Sequence, residues 1–266
     1  MRTFDTLGQK KVVIGMVHLL PLPGTPFYQE GTMGLTIEKA VADATALYQG
    51  GADGCLVQTV DRVYPAADEA DYARVAAMAT VVKAVADATG PEFQVGVQIM
   101  VNALKASVAV AKVCGGSFLR CTALVGATLS AGGMVEAHPH DFLTYRAHIG
   151  AQSVKLIAEV NSMHFRWLGD RPTADVARMA ARVGAAAVEV AHADEETNAR
   201  LVREIKQAMP RLPVILGGHT THENVARRLA EADGVFVGSC LKAEHWDGRV
   251  DVERVRAYVD IVASLG

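Results

Sequence analysis

Two apolar runs near the end of the chain each open into glycine: Pro213-Val-Ile-Leu-Gly217-Gly218-His-Thr-Thr221, and Ala232-Asp-Gly234-Val-Phe-Val-Gly238-Ser239-Cys-Leu-Lys242. Each reads as a strand handing over to a helix. Glycine at such a junction lets the backbone approach an anion closely, while free N–H groups and the positive end of the next helix point at it. The chemistry implied is a grip on phosphate by backbone donors at Gly217, Gly218, Gly238 and Ser239. Thr220, with Glu223 three residues on, reads as a capping box starting the intervening helix. The plainer reading of each glycine pair is a tight turn that binds nothing.

Other polar residues stand at the C-terminal ends of apolar runs: His18, Gln58, Asp61, Gln98, Asn102, Arg120, Glu159, Asn161, His164, Glu189, His192 and His219. The run Val154–Asn161 alternates, so Lys155, Ile157, Glu159 and Asn161 are expected to share one face. A carboxylate at Glu159, with His18, His164 or His192 as partner, suits general acid–base proton transfer at carbon. The planar fork of Arg120 suits an acidic group on a substrate, with Gln98, Asn102 and Asn161 as further substrate contacts. Against this, Glu159 and Arg120 could form a buried ionic layer, and His18 could be a hydrogen-bonded core histidine. Glu159, His164, Glu189 and His192 are donor types that suit a divalent cation. No H-E-x-x-H spacing accompanies them and no G-x-G-x-x-G follows a strand, so no cofactor is firmly implied.

Positioning such residues requires a repeated scaffold. Short apolar runs alternate with longer Ala-rich amphipathic segments, the pattern of a parallel sheet covered by helices. Strands are expected at Val12–Val17, Gly54–Gln58, Gln94–Ile99, Phe118–Cys121, Val154–Val160, Ala187–Val190, Val214–Leu216 and Val235–Val237. The helices between and after them are Ile37–Gln49, Tyr72–Ala88, Ala103–Val113, Phe142–Ile149, Thr173–Val183, Glu196–Ala208, Glu223–Ala230 and Val252–Leu265. Eight pairs without a linker favour a single (β/α)8 TIM barrel over residues 1–266, with its site at the C-terminal face. Glycines in Gly50-Gly51-Ala-Asp53, Cys114-Gly-Gly116, Gly150-Ala, Gly184-Ala and Ala232-Asp-Gly234 fall where helices should end. Two βα loops are long, 19–36 after the first strand and 122–141 after the fourth. The second contains Val125–Met134, rich in small residues, which fits a flexible lid or an ordered surface crossing equally.

Composition sets bounds on function. A chain of 266 residues, half of them apolar, can bury roughly three quarters of its unfolded surface. A net charge of -3 with scattered Lys and Arg leaves no basic stripe for nucleic acid. Four cysteines without a C-x-x-C pair suit buried thiols in a reducing compartment. With no signal-peptide core and no run of about eighteen apolar residues, the expected location is cytoplasmic, without a transmembrane segment. Apolar residues near Phe27, Tyr28 and Trp246 are candidates for the interface of a homo-oligomer.

The run Ile14-Gly-Met-Val-His18-Leu-Leu-Pro21-Leu-Pro23-Gly24-Thr-Pro26 resembles the opening signature of the BtpA/SgcQ family of TIM-barrel proteins. The stretch from Ala232 to Lys242, followed by Val250-Asp251, resembles that family's end. The resemblance covers most of the chain. It implies a barrel whose last two loops are similar to those of ribulose-phosphate-binding barrels, and a family one of whose members is associated with stabilising photosystem I. The chain departs from the family pattern, with Gln58-Thr59 for a Glu-Asn pair, Asn102-Ala103 for Asn-Asp, and Met163-His164 for Lys-His. Ala191–Glu195 stands where a Gly- and Thr-rich turn is expected. The missing lysine argues against a Schiff base there, since a thioether forms none. Two functions follow as expectations: an isomerase, epimerase or aldolase of a small phosphorylated metabolite, most plausibly a sugar phosphate, or a non-catalytic assembly or stability factor for a membrane complex such as photosystem I.

Overall fold

The computed structural model describes residues 2–243, 245 and 248–265; Trp246 lies outside them. Eight parallel strands close into a barrel: β1 (Val12–His18), β2 (Gly54–Gln58), β3 (Gln94–Gln98), β4 (Phe118–Cys121), β7 (Lys155–Asn161), β9 (Ala187–Val190), β10 (Val214–Gly217) and β11 (Gly234–Val237). The ladder runs in sequence order around the barrel and closes by pairing β1 with β11. Outside it lie α1 (Met33–Gln49), α2 (Tyr72–Ala88), α3 (Leu104–Cys114), α4 (Pro139–His148), α5 (Thr173–Arg182), α6 (Glu195–Ala208), α7 (Val225–Arg228) and α8 (Val252–Ala263). Every expected strand is present within about a residue, because strands buried on both faces leave uninterrupted apolar runs. Asp53 and Asp233, from the repeated Ala-Asp pairs, each accept the backbone N–H of a neighbouring strand, that of Val13 at 2.8 Å and of Val214 at 2.7 Å. Gly51, Gly115, Gly150 and Gly184 take left-handed φ at helix ends, whereas Gly234 begins β11 with no left-handed turn.

Two apolar layers result. The larger lies between sheet and helices, and the smaller fills the barrel with Val12, Ile14, Met16, Leu56, Phe118, Ile157, Ala187, Ile215 and Phe236. Phe4 closes the bottom, its ring 5.3 Å from that of Phe118. Gly96 matters here, since a Cβ at that position would overlap the Phe118 ring. Gly96→Ala should therefore destabilise the chain by about 1–3 kcal/mol through overpacking. Combining it with Phe118→Leu should recover part of the loss in urea melts. An additive double variant would contradict this packing.

At the C-terminal face the long loop after β4 is ordered as a hairpin, β5 (Ala127–Ser130) with β6 (Gly133–Glu136), extended by β8 (Arg166–Trp167) from the loop after β7. Of the two expectations for Val125–Met134, a flexible lid or an ordered surface crossing, the structure has the ordered one, because Ala127–Ser130 finds an antiparallel partner on each side. The loop after β2 is also long. It is held by Asp61, which accepts from Arg74 at 2.5 Å and from the Leu22 amide at 3.1 Å, while Thr59 accepts from Arg74 and from the Met100 amide. Asp61 and Arg74 are buried, so this pair ties the first three βα loops together and is no substrate group.

The expected capping box is corrected. Helix α7 begins only at Val225, and Thr220 is buried with its hydroxyl accepting from Tyr258 at 2.8 Å. Asn224 instead accepts the Thr221 amide at 2.7 Å. Cys55, Cys114 and Cys121 are buried thiols and Cys240 is half-buried; all four are free. Phe27 is exposed and Tyr28 half-buried. Among the described residues no helix is long and apolar enough to cross a membrane.

Candidate functional site

The inward positions at the tops of the strands form a polar layer above the apolar filling: His18, Gln58, Gln98, Arg120, Glu159 and Glu189, with Gly217 and Gly238 completing the ring. Arg120 is its hub. Its Nε donates to Glu189 Oε2 at 2.6 Å and its Nη2 to Glu189 Oε1 at 2.5 Å, a bidentate pair. Nη2 also reaches Glu159 Oε1 at 3.3 Å, and Nη1 lies 3.4 Å from Gln58 and 3.5 Å from Gln98. The guanidinium is thus an ion-pair partner of the barrel itself, and the carboxylates hold its pKa above the ordinary arginine value despite burial. Gln98 donates in turn to Thr122 at 3.2 Å. Gly217 lies in β10 below the turn, where a Cβ would overlap the Glu189 carboxylate. Its missing side chain seats Glu189.

Glu159 is the group left with capacity to react. Burial pushes its carboxyl up to about 7, Arg120 opposes this, and Glu189 adds to it. Its Oε2 is buried without a hydrogen bond of normal geometry, although the Ser162 hydroxyl is near enough to favour the ionised form. A carboxyl poised near neutrality can accept and return a proton within one cycle. His18 is pushed down to about 3, first by burial and then by the charges of Lys242, Lys39 and Arg120. At neutral pH it is a neutral imidazole, suited to polarise a carbonyl or pass a proton through its N–H.

Beside His18 the last two loops present their backbones. Gly218 and His219 both have left-handed φ, 96° and 57°, and Ser239–Leu241 forms one turn of 3-10 helix after Gly238. Among the described residues the amides of Gly218, His219, Gly238 and Ser239 donate to no protein acceptor. A Cβ at Gly238 would stand 3.3 Å from Met16 and 3.8 Å from His18 Cε1, so this turn closes directly onto the mouth. Successive N–H groups in such turns make an anion-binding concavity.

The remaining candidates lie elsewhere. Asn102 spends both ends of its amide on Ala123, donating to its carbonyl at 3.0 Å and accepting its N–H at 2.9 Å, which latches two loops together. The expectation that Asn161 shares the face of Glu159 is corrected by a bulge between them, which brings Asn161 level with the outward-facing Val190. His192 turns its Nδ1 to the Asp194 amide at 3.1 Å, and its carbonyl accepts from Arg228. His164 is exposed on the loop after β7, its pKa lowered by partial burial and by Arg120. Burial likewise lowers His219, with the charges of Arg228, His164 and His192 contributing. Among the described residues no three of His, Cys, Asp and Glu converge as metal ligands.

The sequence reading missed a groove of about 640 Å³ beside the mouth, lined by Ser130, Asn161, His164, Arg166, Trp167 and Arg171 among others. The signal in the sequence is the run from Phe165 to Arg171, which holds an Arg-Trp pair and a second Arg.

Comparison with known proteins agrees with this architecture. The phosphoribosylanthranilate isomerase of Pyrococcus furiosus superposes with TM-score 0.56 at 14% identity, over 96% of this chain and 99% of that one. Tryptophan synthase from M. tuberculosis superposes with TM-score 0.59 at 18% identity, over 97% and 93%. Likeness at this identity establishes the TIM-barrel fold. In sequence, the chain is 29% identical to the photosystem I biogenesis protein BtpA of Synechocystis over 99% of this chain and 92% of that protein. It is 27% identical to the putative sgc region protein SgcQ of Escherichia coli, over 98% and 97%. An uncharacterised protein of Thermococcus kodakarensis is 30% identical, over 97% of each. The model of one family, described as the BtpA family, matches residues 9–264.

Proposed function

The chain belongs to the BtpA family, and from that premise we propose that it is an enzyme acting on a small phosphorylated metabolite, a sugar phosphate, by proton transfer at carbon. The observation that carries this reading is the presence of two elements at the same end of the barrel. One is a pair of turns at Gly218-His219 and Gly238-Ser239 whose amides have no acceptor among the described residues. The other is a buried carboxyl at Glu159, poised near neutrality with one oxygen lacking a hydrogen bond of normal geometry. Phosphate held in the turns would place the neighbouring carbons over the polar layer, so that binding energy from a non-reacting group orients the reacting ones. Glu159 would take a proton from the carbon next to a carbonyl, leaving an enediolate, and return it to the adjacent carbon. Neutral His18 would stabilise the oxygen that gains charge and carry the hydroxyl proton from one oxygen to the other, and Arg120 would hold Glu189 in place without joining the transfer. Structural neighbours with phosphoribosyl substrates in their names support the class of ligand only.

The test is a thermal-shift panel of inorganic phosphate and sugar phosphates at fixed ionic strength. A ligand at about 100 times its Kd should stabilise the fold by about 2.7 kcal/mol. For any sugar phosphate that responds, Ser239→Asp, which puts a carboxylate at an exposed position in the second turn, should weaken binding at least about tenfold. No response to any phosphate, or an unchanged response in the variant, would remove the cradle.

A second reading, an assembly factor for a membrane complex, is favoured by the name of the Synechocystis relative. It predicts that Glu159→Gln leaves the chain's biological role intact.

A further inference from the structure

The groove between the β5–β6–β8 sheet and the N-terminal end of α5 is electrostatically unlike the rest of the chain. Its lining carries two arginines and a histidine and no acidic residue, in a protein of net charge -3. Among the described residues Arg166 and Arg171 form no ion pair and no side-chain hydrogen bond, whereas eight of the seventeen arginines are held in ion pairs. Two further polar atoms at the groove are unanswered. Trp167 Nε1, a donor, and Asn161 Oδ1, an acceptor, are both buried without a hydrogen-bond partner. Gly169 lies over the indole nitrogen, where a Cβ would stand 3.4 Å from Nε1, and its φ of 133° excludes most other residues. The indole itself is fixed, because Gly126 leaves the space its ring fills and β8 pairs with β5.

A buried donor and a buried acceptor left unsatisfied each cost about 1–3 kcal/mol, and both belong to residues that line this one groove, so a ligand that reaches and answers both would recover that cost. Two unpaired guanidinium groups supply the charge preference. We propose that this groove is a second ligand site, for a small anion bearing a hydrogen-bond donor next to its charge, as in a hydroxycarboxylate or hydrogen phosphate. The anionic oxygens meet Arg166, Arg171 and the Trp167 N–H, and the hydroxyl proton goes to Asn161. Its wall includes Met163 and His164, the segment that also overhangs Gly218 at the barrel mouth. The site does not depend on the chemistry proposed for Glu159.

The chain has two tryptophans, so its indole N–H resonances are two, and Trp167→Phe identifies the one from the groove. That resonance is to be followed by heteronuclear NMR during titration with phosphate, sulfate, glycolate and acetate at constant ionic strength and pH 8. Phosphate and glycolate, which carry a hydroxyl, should shift it saturably, and more tightly than sulfate and acetate, which do not. The double variant R166A/R171A should weaken the tighter ligands at least about tenfold. Glycolate responding alone would assign the site to hydroxycarboxylates, and phosphate alone to hydrogen phosphate. An unmoved resonance, equal binding within each pair, or an unchanged titration in the double variant overturns the proposal. Ser239→Asp should leave the titration as it was; if it abolishes the shift, the response came from the barrel mouth and the groove site falls.

Discussion

Glu159→Gln is expected to abolish proton transfer and, at the same time, to raise the melting temperature of the protein at pH 8. General acid–base catalysis contributes roughly 10²–10⁴-fold, so turnover of any responding sugar phosphate should fall by at least about a hundredfold with its binding retained. The gain in stability follows from the environment of the carboxyl. Folding moves it from 4.5 to about 7, chiefly by burial. Its ionised form is therefore disfavoured in the fold by about 3 kcal/mol. Between pH 4.5 and 7 the folded chain keeps a proton that the unfolded chain has released, so stability falls as pH rises through this window. Below pH 4.5 both states are protonated and the penalty is absent; above 7 it is complete. Glutamine mimics the neutral acid at every pH and keeps an oxygen for Arg120. The variant's advantage should be small at pH 5 and grow to roughly 5–10 °C at pH 8. Melting curves across this range check it, and parallel curves for the two proteins would refute a proton held near neutrality.

Arg120→Met is expected to be the most damaging single change at the mouth. Both Glu159 and Glu189 are buried beside the guanidinium, and breaking a buried pair from one side strands the other charge at a cost of about 3–5 kcal/mol. Urea denaturation should show that loss at pH 8 and a smaller one at pH 5, where the stranded carboxyls can neutralise themselves by protonation. Adding Glu189→Leu should restore most of the stability, because exchange of an ion pair for apolar groups of similar volume is often neutral or stabilising. Gly217 leaves room over that position for a branched side chain. Failure of the double variant to recover would mean that Arg120 acts through contacts other than Glu189.

Much of this molecule was legible before folding was considered. Apolar runs fixed the eight barrel strands because a strand covered on both faces needs no alternation, and the Ala-Asp pairs before β2 and β11 marked where helices return to the sheet. Glu159 was legible as an inward carboxylate from alternation in Val154–Asn161. Asn161 was not, since a bulge resets the alternation and nothing local in Val160-Asn161-Ser162 announces it. Thr220 was misread for a similar reason. Its spacing to Glu223 fits a cap, but the hydroxyl of Tyr258, 38 residues away, takes it into the core.

The amino-acid sequence by itself determined the barrel, the glycine turns after the last two strands and the set of polar residues at one face, because each depends on local period and backbone freedom. Only the tertiary structure decided which polar residues face one another. Arg120 became the partner of Glu189, Asn102 a latch on Ala123, and Glu159 the carboxyl left near neutrality. The groove under the hairpin also arose only in three dimensions, from β8 pairing with β5 across more than thirty residues. Pairing, burial and desolvation are properties of neighbours distant in the chain, and no spacing along it encodes their distances.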